Sequence, residues 1–198
     1  HEGEIMGRVL RLTVALGVAA TALVGQGSGS WAADVLIVGP GKVGGLRMGQ
    51  STQTAKNGGW ISRDTMCGSW SAGPKTYRSN RKGEVFKAYP VKIRDGRVLS
   101  MWATGEVVTA KGVRADSLQS GRKGSTLATV RDSYRNLKRL GWWAPGQNWG
   151  LNEVVYTTGS KRHGWLDFYV DANTNRVSMM LARHNSVKWT AFKGADGC

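Results

Sequence analysis

Chemistry in this chain would have to start from few groups. Beyond the first residue the imidazoles are His163 and His184, and the only thiols are Cys67 and Cys198. Candidate carboxylates are Glu84, Glu106, Glu153, Asp167 and Asp171. His163 lies in Lys161-Arg162-His163-Gly164, which reads as a loop, and His184 in Arg183-His184-Asn185-Ser186, at a strand-to-turn junction. Neither has a second His or a Cys at metal-ligand spacing, so no metal site is expected. No nucleophile-elbow motif surrounds a serine. Two carboxylates could cleave a glycosidic bond if apolar surroundings kept one of them protonated. These five read instead as surface charges that balance a basic chain. Val38-Gly39-Pro40-Gly41-Lys42 has the flavour of a phosphate loop, but Val43 stands where such a loop needs Ser or Thr. No catalytic residue and no cofactor is predicted, and the chain reads as a binding protein rather than an enzyme.

Aromatic residues are the stronger signal. Trp142-Trp143-Ala144-Pro145-Gly146-Gln147-Asn148-Trp149 reads as a loop following a helix, and loops run over the surface. Exposed Trp supplies apolar area with one polar handle, which suits partner binding. In Trp165 to Val170, Leu166, Phe168 and Val170 share one face of a strand, and Trp165, Asp167 and Tyr169 share the other. The binding candidates are therefore Trp142, Trp143, Trp149, Trp165 and Tyr169, with Lys138 and Arg139 beside the first group.

Helices and strands must position these side chains. Ser or Thr opens a helix by accepting a first-turn N–H. Apolar residues at Leu127, Val130, Tyr134 and Leu137 form one stripe, which predicts a helix over 126–140 ended by Gly141. A shorter helix is predicted over 52–57, broken by Gly58-Gly59. Strands are predicted at 85–93, 98–103 and 106–109, then at 153–158, 165–170, 176–183 and 187–192. Asp95-Gly96 marks a hairpin turn, and 171–175 marks another. Pro90 breaks the first of these strands or confines it to an edge. Ser51-Thr52 and Ser125-Thr126 share a local pattern, so two tandem repeats are expected, over 33–112 and 113–198. Helix first and antiparallel strands after, twice, makes an α+β fold with a short helix or helix-loop-helix packed on an antiparallel sheet in each repeat.

The N-terminal stretch predicts export. Arg8 and Arg11 precede an uncharged apolar run, Leu12 to Val24, and small residues follow up to Ala32. That order is a secretory signal peptide over 1–32, with Met6 as the expected start and 1–5 as upstream read-through. Thirteen apolar residues fall short of the roughly 20 that span a bilayer. Cleavage after Ala32 leaves a secreted, extracellular chain with no stable membrane insertion. In that compartment two cysteines read as one disulfide, Cys67 to Cys198, worth about 4 kcal/mol in the chain-entropy model.

Charge points to acidic partners. There are 28 Lys+Arg against 13 Asp+Glu, net +15, and Glu2, Glu4, Arg8 and Arg11 cancel within the signal. Such a field favours acidic proteins, nucleic acid or anionic cell-wall polymers. The leading expectation is an unknown protein partner. The alternative is a basic protein that binds an anionic polymer.

The opening Val38-Gly39-Pro40-Gly41-Lys42-Val43-Gly44-Gly45-Leu46-Arg47-Met48-Gly49-Gln50-Ser51 and the middle Thr109-Ala110-Lys111-Gly112-Val113-Arg114, followed by Gly124-Ser125-Thr126, carry a resemblance. With one Cys mid-first-half and one at the end, the chain resembles small exported actinobacterial proteins of unknown function. Their architecture looks like the tandem repeats of β-lactamase inhibitory protein. The resemblance implies secretion, the repeat fold and an inhibitor-like role. That inhibitor has a disulfide within each repeat, whereas a Cys67–Cys198 bond would join the halves.

Overall fold

The computed structural model describes residues 36–63, 70–75, 78–79, 85–86, 92–116, 121–143 and 152–189. Residues 33–198 form one compact unit. The first half runs through β1 (Leu36–Gly39), β2 (Lys42–Val43), β3 (Leu46–Arg47), α1 (Thr52–Asn57), β4 (Ile61–Arg63), β5 (Trp70–Ala72), β6 (Arg78–Ser79) and β7 (Val85–Phe86). Then come β8 (Lys92–Arg94), β9 (Arg97–Ala103) and β10 (Val107–Thr109). The second half holds α2 (Leu127–Ser133), β11 (Lys138–Trp143), β12 (Glu153–Ser160), β13 (Gly164–Asp171) and β14 (Arg176–Arg183). The fold is mostly β with two short helices, an α+β arrangement weighted towards sheet.

The larger of the two main sheets joins the two halves of the chain, and the smaller is built from the first half alone. The larger is antiparallel throughout, in the order β11-β12-β13-β14-β9-β8. The smaller runs β10-β1-β2-β3, and β1 and β10 are parallel. Val38, Val43, Leu46, Ala55, Leu127, Val130, Leu166, Phe168 and Met180 share one buried cluster, so both helices and the small sheet pack on the same core. A second cluster, of Leu99, Trp102, Trp143, Val155, Tyr169, Leu181 and Val187, lies apart from it. Alternation along β13 divides Leu166 and Phe168 from Tyr169 between the two clusters, so the large sheet is buried on both faces.

Two hairpin turns each hold the start of a helix, and they do so with the same contacts. Ser51 caps α1 by accepting from Thr54 N at 3.1 Å, and Thr126 caps α2 by accepting from Thr129 N at 3.3 Å. The Gly96 carbonyl accepts from Thr52 N at 2.8 Å, and the Asn175 carbonyl accepts from Leu127 N at 3.0 Å. Val98 N donates to Gln50 O, and Val177 N donates to Ser125 O. Arg97 Nη1 reaches the Gly49 carbonyl and Arg176 Nη1 the Gly124 carbonyl, both at 2.8 Å. The caps thus correspond as Ser51 and Thr126, one residue away from the Ser-Thr alignment read in the sequence. Gly124 is required by close approach: a Cβ there would stand 2.0 Å from the Val177 carbonyl. At the β8–β9 turn Asp95 and Gly96 both have positive φ, 51° and 66°, the type I′ geometry that Asp-Gly favours.

Three expected elements are corrected. The helix predicted over 126–140 stops at Ser133, and the chain enters β11 at Lys138. Tyr134 leaves helical geometry (φ −130°, ψ 88°) so that its ring packs on Phe168 with centroids 5.3 Å apart. Lys111 Nζ donates to the Ser133 carbonyl at 2.6 Å, meeting the helix end with a cation. Gly141 ends no helix and sits at a register shift in β11. The strand predicted over 85–93 is two elements, β7 and β8, with 87–91 outside the described residues. At 187–189 no strand is found, and 190–192 lie outside the described residues. The remaining strands, the helix at 52–57 and both hairpins fall where expected.

Candidate functional site

The aromatic candidates separate sharply. Trp142 and Trp143 lie on β11, not on a loop, because the shorter helix lets the sheet begin earlier. Neighbours on a strand point to opposite faces. Trp142 is 57% exposed, whereas Trp143 is buried. Trp143 packs edge-on against Tyr169 at 5.1 Å and lies 5.7 Å from Trp102, which meets Tyr169 at 4.6 Å. This triangle fills the second core cluster, so Trp143 and Tyr169 are core residues and not partner anchors. Trp165 is half-buried beneath the Arg183 guanidinium, 5.5 Å from its ring. The outward strand face expected for Trp165 and Tyr169 is covered. Trp149, Cys67, Cys198 and Glu84 lie outside the described residues.

What remains exposed is the β11 edge. Among the described residues β11 has a strand on one side only. The Arg139 guanidinium lies 5.8 Å from the Trp142 ring, and Lys138 and Arg139 are both exposed. Arg131, from α2, stands 5.8 Å from the Tyr156 ring nearby. The result is a cationic, aromatic rim beside backbone groups that can accept a further strand.

Beneath the other face sits a polar network that the sequence reading missed. Asp167 is fully buried, and Arg183 is nearly so. Arg183 Nε donates to Asp167 Oδ2 at 2.6 Å and Nη2 to Oδ1 at 3.1 Å, a bidentate pair. Thr157 Oγ1 donates to Oδ1 at 2.5 Å, and Arg183 Nη1 caps the Val187 carbonyl at 2.7 Å. Burial pushes the Asp167 carboxyl up, opposed by Arg183 and Thr157.

Glu153 is fully buried too. Burial first, with the nearby Asp171 adding to it, raises its carboxyl to about 7 despite the Ser178 hydroxyl bond. Ser178 Oγ lies against both Glu153 Oε1 and the Tyr169 carbonyl, yet a hydroxyl has one proton to give. Both contacts are satisfied when Glu153 is protonated and itself donates to Ser178. Burial also pushes the Tyr169 phenol up. Glu153 Oε2, Tyr169 Oη and Ser100 Oγ have no hydrogen-bond partner among the described residues.

The expectation that these carboxylates are surface charges is therefore wrong for Glu153 and Asp167. Glu106 does pair near the surface, with Arg122 at 2.7 Å. The missed signal was alternation: Glu153 and Asp167 occupy the same strand phase as Val155 and Tyr169. Solvent does not reach the two acids, so they build the core rather than meet a substrate. Among the described residues no three His, Cys, Asp or Glu side chains gather where they could hold a metal ion. No helix among them is long and apolar enough to cross a membrane.

Fold and site together define a β-rich α+β protein with a polar network sealed inside and a basic, partly aromatic exterior. No protein-family model, no curated protein and no solved structure matches the chain.

Proposed function

We propose that this chain is a secreted, non-enzymatic binding protein whose partner is another protein, met along the edge of β11. One observation carries the reading: Trp142 stands 57% exposed, beside the Arg139 cation, on a strand with one free side among the described residues. An exposed Trp flanked by Arg is the residue pairing that dominates binding hot spots. The net charge of +15 selects an acidic partner. An inhibitor-like role fits if that partner is an enzyme whose turnover falls on binding.

Two tandem repeats, meeting near Gly112, are part of the same proposal. The matched caps, hairpin carbonyls and arginine bonds of the two helix starts support it. Leu46-Arg47-Met48 and Val113-Arg114-Ala115 add a shared buried-exposed-buried order, with Asp116 to Lys123 as extra chain before the second cap.

The test is capture by the immobilised chain from culture supernatant of its source, at low and high salt, with Trp142→Ala alongside. A defined acidic protein retained at high salt by the parent chain and lost by Trp142→Ala supports the reading. Retention by both forms moves the site away from β11. Export is checked separately by the mass of the secreted form, expected to begin at Ala33.

A further inference from the structure

Three turns meet at one end of the large sheet. The β12–β13 turn is Lys161-Arg162-His163, all exposed, beyond the last register pair Ser160–Gly164. The β1–β2 turn reaches it from the small sheet: Gly41 N donates to the Trp165 carbonyl at 3.1 Å. A Cβ on Gly41 would stand 2.2 Å from the His163 carbonyl, and one on Gly164 would stand 2.8 Å from Gly41 Cα. The two backbones therefore touch, and only glycine permits it. The third turn follows β14, where Asn185 Nδ2 donates to the Lys161 carbonyl at 2.5 Å. The β12–β13 turn and the turn after β14 are also braced from within, Ser160 Oγ accepting from His163 N at 3.2 Å and Ser186 Oγ meeting His184 Nδ1 at 2.8 Å.

These turns and the segments they join carry five exposed cations. Lys161 and Arg162 come from the first and Lys188 from the third. Lys42 follows Gly41, and its register partner across β2–β3 is Arg47. Among the described residues none of the five is in an ion pair. The described carboxylates with hydrogen-bonding duties are engaged elsewhere: Glu106 by Arg122, Asp116 by Gly124 N, Asp167 by Arg183, Asp171 by its own turn. Glu153 and Asp171 mark the opposite end of the β12–β13 ladder, about 23 Å away over eight-residue strands.

We infer that this end of the sheet binds a linear phosphate polymer without bases. Clustered, unpaired cations on rigid turns favour a repeating anion, because each phosphate neutralised releases counterions. Single-stranded nucleic acid would also need aromatic faces for its bases. The aromatic residues nearest these turns, Trp165 and Trp189, are both half-buried, the first facing Arg183 and the second packed against the second core cluster, and the turns themselves offer Lys, Arg and His. This site is separate from β11 and does not depend on the protein-partner reading.

The test titrates the full chain with short inorganic polyphosphate, with oligothymidine of equal phosphate number beside it. For about four phosphates neutralised, affinity for polyphosphate is expected to fall about 50-fold between about 50 and 200 mM salt, at roughly 0.7 log per phosphate and log salt. In the triple variant Lys161→Gln, Arg162→Gln, Lys188→Gln that fall shrinks to about 3-fold as three contacts are lost. The control Arg114→Gln, Lys123→Gln, Arg135→Gln removes equal charge from exposed positions outside both proposed sites and keeps the parent's salt dependence. Equal weakening of both triples overturns the site in favour of net charge alone. Oligothymidine binding more tightly than polyphosphate overturns the choice of polymer. Amide shift mapping on the unmodified chain guards against misfolded variants: polyphosphate must move 41–42, 161–163 and 184–188, and shifts confined to other segments overturn the proposal.

Discussion

Replacing Glu153 by glutamine tests the buried carboxyl directly. Unfolded, this group loses its proton near the ordinary value of 4.5; folded, it holds it to about 7. Between those values the folded state binds the extra proton, so stability falls as pH rises. The contribution is whole below about 4.5 and gone above about 7. At about 1.36 kcal/mol per pKa unit, the wild-type chain pays about 3 kcal/mol at high pH to keep a buried carboxylate. A glutamine amide carries no ionisable proton, so Glu153→Gln escapes that penalty while keeping the shape. Thermal melts at pH 4 and pH 9 provide the assay. The two proteins are expected to melt together at the acid end. At the alkaline end the variant is expected to lead by about 3 kcal/mol, roughly 6–12 °C for a chain of this size. Because Asp167 and every other group are common to both, the difference isolates one residue. Parallel curves from pH 4 to pH 9 would refute a protonated Glu153.

Other consequences can be measured in the same preparation. Trp143→Ala should cost about 3–5 kcal/mol in denaturant unfolding, since it empties a packed aromatic triangle, while Trp142→Ala should change stability by no more than about 0.5 kcal/mol. Arg183→Met should cost about 3–5 kcal/mol by leaving Asp167 charged and buried alone, and adding Asp167→Leu should recover much of that loss. Ser51→Ala and Thr126→Ala should each cost about 1 kcal/mol, and clearly unequal costs would break the correspondence between the two helix starts. Gly124→Ala should destabilise by about 1–3 kcal/mol because its Cβ has no room against Val177, readable as a lowered denaturation midpoint.

Local signals were legible where they were chemical. Asp95-Gly96 announced its turn because two consecutive positive φ angles suit few other pairs, and Ser51 announced α1 because a hydroxyl answers the first free N–H groups. The end of α2 was not legible: Leu137 continues the helical stripe, but the Tyr134–Phe168 contact and the Lys111 cap come from other parts of the chain. The same limit hid the site. Trp142 and Trp143 are identical residues in adjacent positions, and only their phase on a strand decides which meets solvent. Tyr169 read as outward because one face of a sheet is usually wet, whereas this sheet is covered on both. Glu153 and Asp167 looked like surface charges because burial of an acid depends on Ser178, Thr157 and Arg183, all remote in sequence.

The bulge in β11 has a further effect. An unpaired strand edge invites a second copy to add itself, and repetition of that step builds insoluble aggregates. Here the register shift between Arg139 and Gly141 interrupts the ladder, and Lys138 and Arg139 crowd the same stretch with positive charge. An identical strand laid alongside would bring the two cations of each copy together, so like rejects like. A strand rich in Asp or Glu would meet no such barrier. On the proposed reading, the edge thus discriminates by charge before any side-chain fit is tried.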